Sequence, residues 1–282
     1  MARAVGDPEL LAHALWARAA ERSNVGDYAG ACDRLAAEYE LLPQIGDPDL
    51  RCHVYFGSID MYASAGRLDD ARDSVERLEQ EGQGLTIHHR VHGLGNRVSL
   101  GCLTGRWDDI RSRTADVQAA VEANRATPCP LNIASLLGCA LAAAVLGDEV
   151  ESKRLEDAAY ATGMKGYRFA TDTARIWLAL ARGDLDQVRA IIGGLDAELL
   201  EPWAYDIRSA LFDALVPLGD RERIEADAPE WIERGGYPRP FALRALGLVR
   251  EDEALIEQAA QGFDALGLAW HAQRTRERRV IG

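Results

Sequence analysis

Apolar side chains along this chain recur at steps of three and four residues, the period of one face of an α-helix. The clearest case spans residues 49–65, where Leu50, Val54, Met61 and Ala65 share a stripe with Tyr55, Ile59 and Tyr62 beside it. A polar break at Gly66-Arg67 follows. A second amphipathic run then places Asp69 and Asp70 in its first turn and Ala71, Val75 and Leu78 on its apolar face. Glycine tolerates the left-handed backbone that ends a helix, and first-turn acids suit the helix dipole. The stretch Ser64 to Arg72 therefore predicts a corner between two helices.

Variants of this corner recur as Val25-Gly26-Asp27-Tyr28, Thr104-Gly105-Arg106-Trp107, Leu146-Gly147-Asp148-Glu149, Arg182-Gly183-Asp184-Leu185 and Leu218-Gly219-Asp220. Their glycines, at 26, 66, 105, 147, 183 and 219, follow one another at intervals of 36 to 42 residues. A second mark keeps the same period. Gly6-Asp7-Pro8-Glu9 and Gly46-Asp47-Pro48-Asp49 each offer an Asp N-cap and a Pro at the first helical position. Two marks on one period predict an all-α stack of about seven helix pairs, a solenoid.

The first helices are expected over 9–23, 49–65, 85–104, 130–146, 166–182, 199–218 and 238–250, and the second over 27–44, 67–81, 106–125, 148–163, 184–198, 220–234 and 251–267. A last helix is expected over 269–279. The chain reads as one domain, residues 1–282, with repeats 7–46, 47–84, 85–127, 128–165, 166–198, 199–236 and 237–268. Pro217 and Pro229 fall inside proposed helices of the sixth pair. The seventh pair lacks a turn glycine and uses Val249-Arg250-Glu251-Asp252 instead.

Composition adds little to the fold and more to its setting. A hydrophobic content of 48% supports a buried core, and abundant Ala, Leu, Arg and Glu favour helix. Five cysteines, Cys32, Cys52, Cys102, Cys129 and Cys139, form no CxxC pair and read as buried thiols of a reducing compartment. Glu9, Arg18 and Glu21 interrupt any signal-peptide core, and the apolar run Leu136 to Leu146 is too short to span a membrane. A cytoplasmic location is expected. The net charge of −13 opposes nonspecific nucleic-acid binding, and the basic tail Arg274, Arg276, Arg278 and Arg279 reads as a solvated helix end.

No catalytic set emerges, and no cofactor or metal is assigned. His88 and His92 lie one helical turn apart and could clip a metal, but the sequence supplies no HExxH glutamate and no third carboxylate at fixed spacing, so they read as partly exposed polar residues near a helix start. Adjacent helical residues point about 100° apart, so Cys52 and His53 make no thiol–imidazole pair. Gly163-Met164-Lys165-Gly166 lacks the spacing of a phosphate loop and reads as a turn. Asp69/Asp70 and Asp108/Asp109 favour the helix dipole without any catalytic task. Trp16, Trp107, Trp177, Trp203, Trp231 and Trp270 scatter across the repeats as packing residues would.

Tyr55, Tyr62, Gly66, Leu68 and Ala71 match the spacing of the tetratricopeptide signature, which the chain resembles. Gly105/Trp107/Ile110 and Gly183/Leu185/Val188 keep its turn without the aromatic pair. The longer period and the GDP starts look more like the tetratricopeptide-like arrays that follow the ATPase core of bacterial LuxR-type (maltose-activator-like) transcription factors and ATPase–adenylate cyclase-type regulators. The ending Ala260 to Arg276 resembles the last repeat of such arrays. The chain carries no GxxxxGK[ST], cyclase domain or terminal helix-turn-helix reader. The resemblance implies a right-handed solenoid, the repeat segment of a longer regulator.

In such stacks the first helices line the concave surface. The second helices here carry most of the negative charge, so the resemblance implies an acidic outer skin and a neutral-to-basic groove. Candidate groove residues are Arg90, Asn96, Arg97, Asn132, Arg168, Arg175, Arg208 and Arg244. The expected function is non-catalytic: a protein-interaction or signal-sensing module binding a peptide, protein or small anionic ligand through Arg forks. Its expected partners are a protein or peptide, or attached ATPase and DNA-binding domains, with no direct nucleic-acid or membrane contact by this segment. The alternatives are a stand-alone tetratricopeptide-type receptor and, third, an all-helical enzyme.

Overall fold

A computed structural model describes residues 6–163, 168–195 and 205–281. Among them are fifteen α-helices and no strand. They are α1 (Pro8–Asn24), α2 (Tyr28–Tyr39), α3 (Pro48–Ser64), α4 (Leu68–Gly82), α5 (Ile87–Thr104), α6 (Trp107–Ala123), α7 (Pro130–Val145), α8 (Glu149–Ala161), α9 (Asp172–Ala181), α10 (Leu185–Gly193), α11 (Tyr205–Leu218), α12 (Arg221–Arg234), α13 (Arg239–Arg250), α14 (Glu253–Ala265) and α15 (Ala269–Arg276). The all-α expectation holds. α2 stops short of residue 44 because Pro43 turns the chain into a separate 3₁₀ turn, Leu42–Gln44. The helix expected from 166 begins at Asp172, after a 3₁₀ turn at Arg168–Ala170. The turn read at 163–166, Pro202, Trp203 and the helix ends placed at 166, 198 and 199 lie wholly or partly outside the described residues.

The start signals work as read. Asp7 caps α1 by accepting from the amides of Glu9 and Leu10, and Asp47 caps α3 by accepting from Asp49. Each corner closes with the same bond. Amides of Asp27, Arg67, Arg106, Asp148, Asp184 and Asp220 donate back to the carbonyls of Arg22, Tyr62, Gly101, Ala143, Ala179 and Leu215. This Schellman geometry needs a left-handed residue, and all six turn glycines adopt one, with φ between 69° and 82°. The seventh corner forms the same bond, from Asp252 to Gly247, with Glu251 forced to φ 55°. Such a backbone costs a non-glycine residue about 1 kcal/mol or more. Glu251→Gly is therefore expected to raise stability by up to about 1 kcal/mol, part of the gain being lost to glycine's freedom when unfolded. An unmoved or lowered urea midpoint would show that this corner holds no strain.

Packing follows the chain. From α1 to α13 each odd-numbered helix lies against the next odd-numbered one, and each even-numbered helix leans on the odd-numbered helix before it. Burial follows from that arrangement. Every residue from Asn132 to Ala143 of α7 is buried, as a helix apolar all round must be. Tyr55 and Tyr62 of α3 meet Tyr39 of α2 edge-on, with ring centroids 5.7 and 6.4 Å apart.

The C-terminal third also folds back on the corners of the first three pairs. The Tyr237 hydroxyl donates to the Leu103 carbonyl at 2.7 Å, and its amide donates to Ser64 O at 3.0 Å. His271 Nε2 lies 3.2 Å from the same Leu103 oxygen, and Arg234 donates to Ser23 O at 3.3 Å. Trp270 packs edge-on against Trp107 at 5.2 Å. The basic tail is tied down in the same region, since Arg276 pairs with Asp264 and Arg278 with Glu253. The contacts to Ser23, Ser64 and Leu103 cover the C-terminal ends of α1, α3 and α5.

Candidate functional site

The inward faces of α3, α5, α7, α9 and α11 enclose a cavity of about 590 Å³. Every helix in that set is an odd-numbered one, because these are the helices that face one another across the fold. Small residues make the room and set the wall spacing. Ala134 and Ala174 line the cavity, and Gly138 lets α7 approach α5 so closely that a Cβ there would lie 2.4 Å from Val98. Phe56, Leu103, Leu131, Trp177 and Ile207 are among its apolar lining residues.

Three acids reach this apolar space, and they differ in company. Asp172 is buried and paired, with Arg175 at 2.6 Å and Arg168 at 3.1 Å. Asp60 lines the cavity and, among the described residues, accepts only from the Tyr205 hydroxyl, at 3.3 Å. Asp206 accepts from Thr173 Oγ1 at 2.8 Å. Among the described residues no basic side chain pairs with Asp60 or Asp206. Asp60 keeps solvent-exposed surface, yet the protein packed around its carboxyl pushes it up to about 6 by desolvation; the nearby Asp206 charge adds to this, and the Tyr205 hydrogen bond opposes it. Asp206 is raised for the same first reason, desolvation, against hydrogen bonds from Thr173 and the backbone.

A second cluster lies in the cavity wall. His88 and His92, one turn apart on α5, have ring centroids 4.4 Å apart, and Phe56 lies 5.4 Å from the His92 ring. Cys129, the N-cap of α7, points toward them, so one donor atom from each of the three lies within 4.8 Å of the others. Burial, helped by the neighbouring His88 and His89, drops His92 to about 4. His89 belongs elsewhere: Thr86 lies 2.9 Å from its Nδ1 and Asp49 2.5 Å from its Nε2.

Of the eight groove candidates, Asn96 alone lines the cavity, and its amide donates to His92 O at 2.7 Å. Asn132 is buried at the start of α7, where it accepts from Asn124 at 3.0 Å. Arg90 is exposed, and Arg97 is paired with Glu79 through Nε at 2.8 Å. Arg168 and Arg175 converge on Asp172, while Arg208 lies over the Trp231 ring at 5.5 Å. Arg244 is 1% exposed and pairs with Asp213. The structure does not gather these arginines into one surface. The cavity's charge is negative and its carboxylates come from positions not singled out above. The sequence sets Asp60 apart only as the one acid in the otherwise apolar or small-residue stretch from Val54 to Ala65. Nothing in the sequence joins Cys129 to His88, since 41 residues separate them.

Cys32, Cys52, Cys102, Cys129 and Cys139 are all buried and unbonded, as expected. No helix among the described residues is long and apolar enough to cross a membrane. No protein-family model matches the chain, and no curated protein or solved structure is significantly similar to it.

Proposed function

We propose that the chain is a right-handed α-solenoid of seven tetratricopeptide-like helix pairs that senses a small ligand for a bacterial signalling or transcription regulator. The helix order, the shared corner bond and the signature residues Tyr55, Tyr62, Gly66, Leu68 and Ala71 support the solenoid. The ligand is largely apolar and carries a cationic amine or amidine. One observation carries this reading: Asp60 and Asp206 face an apolar cavity with no basic partner among the described residues. A cation that brings its own apolar body pairs with these carboxylates while its body displaces water from the apolar wall. Ligand entry braces α3, α5, α7, α9 and α11 together, and that bracing is the signal passed to an attached output domain or a protein partner. A stand-alone receptor would use the same binding step.

Thermal-shift titrations with aryl- and alkylamines, set against alcohols of matching shape, test this. Amines are expected to raise the unfolding midpoint and the alcohols are not. Asp60→Asn is expected to weaken amine binding at least tenfold, consistent with about 1.5–3 kcal/mol for a hydrogen bond to a charged group. Asp60 must be ionised to hold the amine, so affinity is expected to fall as pH drops through about 6. The Asn variant should lose that dependence. Equal binding of amines and alcohols would remove the proposal. A second reading, catalysis, draws on Asp60, Asp206, Tyr205, His92 and Cys129 meeting in one cavity. Recovery of the bound amine unchanged after long incubation supports sensing, and conversion to product supports catalysis.

A further inference from the structure

We infer that His88, His92 and Cys129 form a binding site for a zinc-class divalent metal ion in the cavity wall. This rests on the three donors alone and stands whether or not the cavity takes an amine. The i, i+4 spacing on α5 puts both imidazoles on one face, and the start of α7 delivers the thiol. Donors around a tetrahedral zinc, with Zn–N of about 2.0 Å and Zn–S of about 2.3 Å, lie roughly 3.3–3.7 Å apart. The three atoms here lie within 4.8 Å of one another, so side-chain rotation over about an ångström closes the site.

A second observation points the same way. His88 Nδ1 is buried and has no hydrogen-bond partner among the described residues. An orphaned ring nitrogen beside a second imidazole and a thiol is what a metal would satisfy. The donor set selects the ion: two imidazoles and a thiolate suit zinc and its neighbours, whereas magnesium and calcium require oxygen. The thiol proton leaves to solvent as the ion binds. Without a metal the Cys129 thiol donates to Asn132 Oδ1 at 3.4 Å, and that bond is given up with the proton when the ion binds. His92 and Cys129 both line the cavity, so the fourth coordination position faces it, the arrangement of an open rather than a closed zinc site.

The test uses untagged, chelator-stripped full chain titrated with Co²⁺ alone. One Co²⁺ per chain is expected to bring visible bands of tetrahedral intensity and a thiolate-to-cobalt charge-transfer band, both lost on adding Zn²⁺. Cys129→Ser is expected to abolish the charge-transfer band. His88→Gln, at a partly exposed position, is expected to weaken Co²⁺ binding more than about 100-fold, since even outer-shell partners are worth 10–100-fold. Its far-ultraviolet circular dichroism should stay unchanged. Should Cys129→Ser fail to fold, the His88→Gln titration decides. A wild-type spectrum without charge transfer, a band that survives in Cys129→Ser, or affinity unmoved in His88→Gln would each overturn the site.

Discussion

Arg244→Met, with Asp213 left in place, is expected to destabilise the protein by about 3–5 kcal/mol, the cost of stranding a buried charge. Both members of this pair are 1% exposed. Arg244 Nη2 donates to Asp213 Oδ1, and Asp213 Oδ2 accepts from Trp177 Nε1 at 3.1 Å. The guanidinium also lies 4.8 Å from the Phe263 ring centroid and 5.2 Å from that of Phe241, so its removal strips packing as well as charge. Asp213→Asn combined with Arg244→Met should cost far less than the single change, because it removes both charges and leaves little to desolvate. Urea unfolding followed by tryptophan fluorescence measures both. A single-variant loss below about 1 kcal/mol would mean that the pair contributes nothing to holding α9, α11 and α13 together.

The second large effect has the opposite sign. Glu38 of α2 is 1% exposed, its Oε2 has no hydrogen-bond partner among the described residues, and burial pushes its carboxyl up to about 8 from 4.5. A carboxyl raised on folding leaves stability intact below its unfolded value and lowers it as pH climbs toward the folded one. Between pH 4.5 and pH 7 the loss is about 3 kcal/mol, at 1.36 kcal/mol per pH unit. Glu38→Gln keeps the shape and removes the titration. It is expected to stabilise the protein by about 3 kcal/mol at pH 7 and by almost nothing at pH 4. Denaturation at the two pH values gives the difference directly, and an advantage equal at both would rule out buried ionisation as its source.

These two residues mark where periodicity stops informing. Glu38 and Arg244 both look like ordinary polar positions on amphipathic helices, yet both are buried. For Arg244 the reason is that α13 is covered on more than one side, with every residue from Pro240 to Gly247 buried. Glu38 instead shares the single buried stripe of α2 with Ala31 and Leu35, where the period marks the position as buried but not that its acid lies there without a base. Arg244 carried the expectation of a solvent-facing groove and instead anchors the interior. Asp60 shows the reverse case. It is exposed on the face of α3 that also carries Asp49 and His53, the ordinary place for an acid, and only the neighbouring helices turn its part of that face toward a cavity.

The corners were legible because they are local. A glycine that accepts a left-handed φ, an Asp that caps the following helix and a Pro at a first turn act within six residues, so helices, turns and their order could be read directly. Even the atypical seventh corner was visible as a missing glycine, and Glu251 bears it out at φ 55°. What only the tertiary structure decided lies between helices. The return of Tyr237 and His271 onto Leu103, the cavity behind Asp60 and Asp206, and the meeting of Cys129 with His88 and His92 join residues tens to more than a hundred positions apart. Periodicity states which face of a helix is buried. Which faces meet is set by how helices far apart in the chain pack against one another, and no single stretch of sequence contains that.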